Sequence, residues 1–508
     1  DKWVNNYEPL IDYFELFQNK IEKKYGTKNK DEIMKKIFVI TIALIGFIFS
    51  ACNDWLDVNP RTQVKKEVLL ETQKGFRDVL TGAYIRLKNG NLYGGEMTWS
   101  TMEYLAQHWV VATGTTNAYL QAYNYTNGSV KDRFSTIFKT YYQAIADVNS
   151  LLEVIDEKKG IFTRENYELI KGEALGIRAL CHLDVLRLWG PVPAGEISDD
   201  KILPYVKSVT NEIHDYSTYE QFVQLLLEDL NEAERLLEGV DPILKYSIAD
   251  LQDETTCDVE DDFWIDRQVR MNYYGVLALK ARLYFWTQDM KNAVLYAKKV
   301  IDAKDPSGKK MWVLATGITM ESGDLACASE SIFGLSVYDL GTKASSNFDL
   351  TGNGIHEQSF IMDYYAFPTG ERTTDVRFDK QWTSLSKNGQ SIYICRKFYQ
   401  LSDNQMNELP LIRLAEMYFI VMEATSSTTE ANGLFSEYAS SRGIATADLS
   451  SNKLRTLTKE FNKEFYAEGQ MFFFYKRVNA TGSINYIPLN AERYVAPLPE
   501  REIVYNNK

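Results

Sequence analysis

The sequence predicts a mostly all-α chain of helical hairpins that carry long irregular loops and minor β-structure. Three observations predict it. Phe134, Phe138, Tyr141, Ile145, Val148, Leu152 and Ile155 recur at alternating spacings of four and three, the period that lays one apolar stripe along a helix. The stretch "LKARLYFWTQDMKNAVLYAKKVI", Leu279 to Ile301, reads as two antiparallel helices joined at Gln288-Asp289. Between such segments the texture turns rich in Thr, Asn, Gly and aromatics, over tracts long enough to be functional or disordered.

The remaining elements come in chain order. A helix fits Glu165 to Trp189 and is ended by Gly190-Pro191, because proline cannot continue it. "STYE" at Ser217 to Glu220 has the spacing of a capping box and opens a helix running to Gly239. In the hairpin, Ala281, Tyr284, Ala293 and Ala297 alternate small and large residues as a tetratricopeptide repeat does. Any tight helical crossing also wants small residues there. "ESIFGLSVY", Glu330 to Tyr338, alternates as a strand. Two irregular tracts stand out: an aromatic loop over residues 107–130, "QHWVVATGTTNAYLQAYNYTNGSV", and a second from about Tyr338 to Lys397.

"MKKIFVITIALIGFIFSAC", Met34 to Cys52, has the order of a secretory signal: two lysines, thirteen uncharged residues, then Ser50-Ala51-Cys52. As a membrane span it would reach only about 20 Å against about 30 Å of hydrocarbon, and Asn53, Asp54 and Asp57 follow at once. The expected organisation is therefore residues 1–33 as upstream translation, 34–51 as the signal, and 52–508 as the mature domain. That domain divides into 52–270, with the aromatic loop, and 271–508. The charge is −13, with no basic tract outside the signal, which argues against nucleic acid and against an electrostatic hold on a membrane surface. Cys181, Cys257, Cys327 and Cys395 are far apart and without CxxC spacing, so buried thiols fit better than disulfides or zinc.

Signals for chemistry are thin. There is no G-x-S-x-G elbow, no Walker A loop and no HExxH, since His356-Glu357 lacks its second histidine. His108, His182, His214 and His356 are scattered, and no cofactor motif is present. With 69 acids, some pair always stands at the separation that glycoside hydrolysis uses, so that count decides nothing. "DETTCDVEDD", Asp253 to Asp262, could hold Ca²⁺, but it lacks the EF-hand order and glycine, and a solvated acidic loop is the simpler reading. The expectation is a protein that is not an enzyme.

Several stretches carry a resemblance. "IKGEALGIRALCHLDVLRLWGPVP" (Ile170 to Pro193) resembles the GEA…RA…L…G-x-P helix of the SusD/RagB family. "CNDWLDVNPRTQV" is similar to that family's lipidated start and "LLETQKGFRDVLTGAY" to its first helix. "LIRLAEMYFIVMEA" (Leu411 to Ala424), "KEFYAEGQMFFFYKR" (Lys463 to Arg477) and "APLPEREI" (Ala496 to Ile503) match later motifs in the same order. The departures are Gln470-Met471, where the family commonly has His-Arg, and Phe474, where it has Asp. The resemblance implies a SusD-like, tetratricopeptide-like fold. It also implies a surface lipoprotein of the outer membrane, anchored through Cys52, that binds a glycan or other nutrient beside a SusC-like TonB-dependent transporter. The motif charges read as structural: Arg413 and Glu416, three apart on one helix face, could pair, as could Glu173 and Arg178 across a turn and a half.

An exposed Trp or Tyr can bury the C–H face of a sugar while amides bond its hydroxyls. Trp109, Tyr119, Tyr123 and Tyr125, interleaved with Asn117, Gln121 and Asn124, put both chemistries in one loop. The competing reading is that these rings pin the loop to the helices. Trp312, Tyr338, Tyr364 and Trp382 are further candidates from the later region. The alternative function is a helical-repeat scaffold that binds protein alone.

Overall fold

The computed structural model describes residues 66–348 and 374–505, apart from 388, 400–406, 445–447 and 483–487, together with Tyr365 and a few isolated positions before residue 66. Asp1–Leu69 forms a unit of its own, in which Lys66–Leu69 is one helical turn. Cys52, the expected signal, His356 and Tyr364 lie outside the described residues. The second unit is Leu70–Lys508.

The first half of this second unit is helical. α1 (Gln73–Leu87) opens at Thr72, whose hydroxyl accepts from the Gly75 amide at 3.1 Å. Two short helices come next, α2 (Thr101–Leu105) and α3 (Thr116–Gln121), then the long α4 (Gly128–Leu152). The apolar stripe of α4 is buried from Phe134 to Val148, while Leu152 is only half-buried. α5 (Asn166–Trp189) packs on α4 and on α6 (Tyr219–Leu237), and is buried almost all round, as an apolar helix between two others must be. Gly176 lets it do so: a Cβ there would stand 2.4 Å from Met271 Cγ.

β1 (Lys201–Pro204) and β2 (Tyr216–Thr218) pair antiparallel ahead of α6. This moves the capping box one residue along from the STYE reading. Thr218, the last residue of β2, is the cap and Gln221 its reciprocal partner, while Ser217 stands inside the strand opposite Leu203.

The second half is built on α7 (Tyr273–Trp286) and α8 (Met290–Ile301), the hairpin expected from the sequence, with Gln288 at φ 64° in the turn. Ala281, Ala293 and Ala297 are fully buried. Then come α9 (Gly317–Glu321), β3 (Ser331–Ser336), α10 (Leu340–Phe348), α11 (Val376–Gln381), β4 (Trp382–Lys387), β5 (Gln390–Cys395) and β6 (Glu408–Arg413). β3 pairs antiparallel with β6, Ser331 opposite Arg413 and Ser336 opposite Glu408; β4 and β5 form a hairpin. α12 (Leu414–Ala424) and α13 (Thr428–Arg442) form a further hairpin, with α12 stacked on α8. The chain closes with α14 (Leu449–Glu464), α15 (Met471–Arg477), α16 (Ala491–Tyr494) and α17 (Glu500–Tyr505). The two tracts read as loops are thus partly regular: α3 and the first turn of α4 occupy 107–130, and α10, α11 and the β4–β5 hairpin occupy much of 338–397.

The expected charge pairs are corrected. Arg413 has extended backbone (φ −115°, ψ 158°) as the last residue of β6, so a helical i,i+3 geometry to Glu416 does not exist. Glu416 instead takes the Arg282 guanidinium at 2.6 Å, and Arg413 takes Glu330, Glu464 and Glu468. Glu173 and Arg178, five apart, point to different sides of α5. Arg178 bonds Asp229 at 2.6 Å, and Glu173 takes Arg267 and Arg270.

Candidate ligand-binding face

Beneath the 107–130 segment lies a layer of buried rings. Trp109 is 2% exposed; its indole N–H donates to the Trp99 carbonyl at 2.8 Å. Its ring meets Phe348 at 5.6 Å and the edge of Tyr466 at 5.1 Å. Tyr466 stacks on His108 at 4.1 Å, donates its hydroxyl to the His108 carbonyl at 2.7 Å, and receives Trp382 edge-on at 4.8 Å. Trp99 completes the layer against Phe348 and Phe398. Two candidates, Trp109 and Trp382, are therefore brought together, but as core. An indole whose faces are packed and whose N–H is bonded has nothing left for a ligand. The same holds for Trp312, buried with its N–H on the Ser331 carbonyl at 2.8 Å. Tyr123 is core too: its hydroxyl donates to the Leu105 carbonyl at 2.7 Å, and burial pushes the phenol up to about 12.

Glu103, fully buried at the middle of α2, holds this layer together. Its carboxylate accepts from the Ala467 and Gly469 amides at 3.0 and 2.8 Å and bonds His108 Nδ1. Ala467 and Gly469 both lie at positive φ, 64° and 72°. A Cβ on Gly469 would fall 2.1 Å from the Met97 carbonyl oxygen. The Glu468-Gly469 pair of the late motif is thus explained. Glu468 reaches Arg413 at 2.8 Å and Lys397 at 2.7 Å, and Gly469 permits the close approach to Met97. Glu103, Phe348, Phe398 and Tyr466 carry no signal of this role in the sequence beyond that motif.

The surface above retains a smaller set. Tyr119 is 36% exposed on α3, and Asn124 and the Ala112–Thr115 turn are exposed. Asn117 accepts from Arg133 at 2.9 Å, and Gln121 donates to the Trp109 carbonyl at 2.8 Å. Both are thus tied into the scaffold. Tyr125, half-buried, donates to the Arg493 carbonyl at 2.7 Å. Tyr338, at 78%, is the most exposed aromatic among the described residues.

Among the described residues no other cluster competes as a chemical centre. Among the described residues, one group of possible metal ligands converges: Cys327, Glu330 and Glu464. Arg442 sits on both carboxylates at 2.7 Å, so the positive charge there is already supplied by a guanidinium. His182 is neutral, its Nε2 accepting from the Val206 amide at 3.0 Å while burial and then Arg178 lower its pKa. The acidic run splits. Asp253, Glu254 and Asp258 are exposed, whereas Asp261 pairs with Arg77 and Glu260 accepts from Gln73 at 3.0 Å and Thr163 at 2.9 Å.

A SusD-like family model described as "Starch-binding associating with outer membrane" matches residues 54–243. The curated SusD-like protein P25 of Formosa agariphila is 25% identical over 167 residues, 32% of this chain and 31% of its own length. The matched part thus spans about a third of that relative. The fold is similar to that of a SusD superfamily protein from Bacteroides thetaiotaomicron (TM-score 0.67, 19% identity, 86% of this chain and 98% of that one). It is likewise similar to a SusD-like carbohydrate binding protein from Bacteroides vulgatus (TM-score 0.63, 18% identity, 86% and 97%). Residues 54–243 thus carry the SusD-like family match, and the fold is similar to that of SusD superfamily structures.

Proposed function

We propose that this chain is a glycan-binding lipoprotein of the outer membrane that passes its ligand to a SusC-like TonB-dependent transporter and performs no catalysis. The observation that carries the reading is the match of residues 54–243 to a family described as starch-binding and outer-membrane-associated. The geometry supports a binding role: Tyr119 and Asn124 are exposed in the same segment whose Trp109 is packed into the buried ring layer. No described helix is long and apolar enough to cross a membrane; in this reading the anchor is Cys52. One lipid chain holds weakly and two hold firmly, so anchoring at Cys52 requires multiple acylation.

The test is calorimetric titration against neutral oligosaccharides: maltoheptaose, xylohexaose and laminarihexaose. Binding of at least one is expected. Tyr119→Ala should weaken it by several-fold to about tenfold with an unchanged melting temperature. Failure of the wild-type chain to bind any of them, with a peptide library binding instead, would replace the glycan reading with the scaffold one. In cells, Cys52→Ala should release the protein from membranes, and pull-down in mild detergent should recover a TonB-dependent barrel.

A further inference from the structure

A cleft of about 390 Å³ opens between α1, the segment Asp262–Arg270 and the end of β3, away from the aromatic layer under Tyr119. Its size falls in the range of small-molecule sites. The lining is of two kinds. Phe263, with Ile265, Val269 and Leu335, offers an apolar strip, while Lys88, Asp266, Arg270 and Ser336 offer polar groups.

The walls are fixed before any ligand arrives. Arg270 lies over the Phe263 ring at 4.0 Å and reaches the buried Glu173 at 2.9 Å. Tyr84 donates to the same Glu173 at 2.7 Å and accepts from the Met271 amide at 2.8 Å. Lys88 spans to the Ser336 carbonyl at 3.1 Å. Such preorganisation removes much of the ordering cost of binding.

The charge balance selects the ligand. Lys88 and Arg270 face Asp262 and Asp266, and Glu173 stands behind Arg270. The site has no net positive charge to hold a phosphate or carboxylate. It has acceptors for hydroxyls, donors for ring oxygens, and an apolar strip for a C–H face. Two residues beyond Ser336, Tyr338 exposes its ring to solvent, and α10 then runs from Leu340 to Phe348, which packs on Trp109. One helix thus links this cleft to the ring layer of the first face.

We propose that this cleft, formed by Tyr84, Lys88, Phe263, Asp266, Arg270 and Ser336 with Tyr338 following, is a second subsite for an uncharged saccharide. The assignment rests on the proposed glycan-binding function. It predicts that one glycan chain, or two, engages both places.

The experiment compares the wild-type chain with Thr81→Trp, which fills the cleft from an exposed position on α1, and with Tyr338→Ala. Each is titrated with whichever of maltoheptaose, xylohexaose and laminarihexaose the wild type binds best, and with an oligogalacturonate as the charged probe. Either variant should lose one site from the stoichiometry or weaken affinity about threefold to tenfold, with the melting temperature unchanged. Wild-type affinity and stoichiometry in both variants, with Tyr119→Ala still impaired, would overturn the cleft and leave the glycan reading standing. Oligogalacturonate binding abolished by Thr81→Trp would overturn the neutral class. A wild type that binds no saccharide overturns both.

Discussion

Trp109 and Tyr119 sit ten residues apart in the same segment and have opposite consequences when removed. Trp109→Ala would leave a void among Trp99, Phe348 and Tyr466 and orphan a carbonyl, so stability should fall by about 3–5 kcal/mol. Affinity per folded molecule should hold. Urea denaturation and titration of the same variant check both halves. Glu408 makes a pH prediction. Burial, with Asp324 and Asp266 adding to it and Ser331 opposing it, raises its carboxyl from 4.5 to about 7, and its Oε1 has no hydrogen-bond partner among the described residues. A raised folded pKa means the native state holds the proton that the unfolded chain has released. Stability from this group is therefore complete below about pH 4.5 and is lost as pH rises through about 7, on the order of 3 kcal/mol at most. Glu408→Gln should flatten that slope in denaturation midpoints measured from pH 4.5 to 8.

At the scale of elements, the turn after α14 ties the ring layer to α2. Gly469→Ala must both hold φ near 72° with a side chain and displace the Met97 carbonyl, so it should cost about 2–4 kcal/mol. If a thermal melt of that variant moved by less than a degree, the close approach would not matter to the fold. The end of α5 shows a different device. Lys476, buried on α15, donates to the Leu188 and Gly190 carbonyls at 3.2 and 2.7 Å, satisfying the terminal acceptors of the helix with a side chain from a remote segment. Burial lowers its pKa, and no acid is bonded to it among the described residues. α4, α5 and the α7–α8 hairpin were legible because their periodicity is long and their stops are sharp. The short α2 and α3 were not, since an aromatic-rich run of five or six residues has no period to read.

At the scale of the whole molecule, one network in the second half of the chain joins five buried cations (Arg377, Lys397, Arg413, Arg442 and Lys463) to five buried anions (Glu330, Asp375, Glu460, Glu464 and Glu468). Burial pushes Glu464 upward, but Arg442 and Arg413 outweigh it and hold that carboxyl well below its usual range. Its stability contribution is present at neutral pH and is lost only as pH falls through that lowered value. Arg442→Met should cost about 3–5 kcal/mol, because Glu330 and Glu464 would lose a buried guanidinium that bonds both at 2.7 Å. A guanidinium denaturation curve that shifted by less than about 1 kcal/mol would mean the network relaxes around the gap. Taken alone, the sequence determined the helical class, the hairpin at Gln288, the ends of α5 and the SusD-like resemblance, because each rests on local period, capping or motif order. It also indicated that the charged residues of the motifs are structural. Which partner each charge takes, and which rings are core, only the tertiary structure decided. Trp109 and Tyr119 share one local composition, and what separates them is Phe348 and Tyr466, brought over Trp109 from more than two hundred residues away along the chain. Burial is a property of the assembled layer, and no local pattern encodes it.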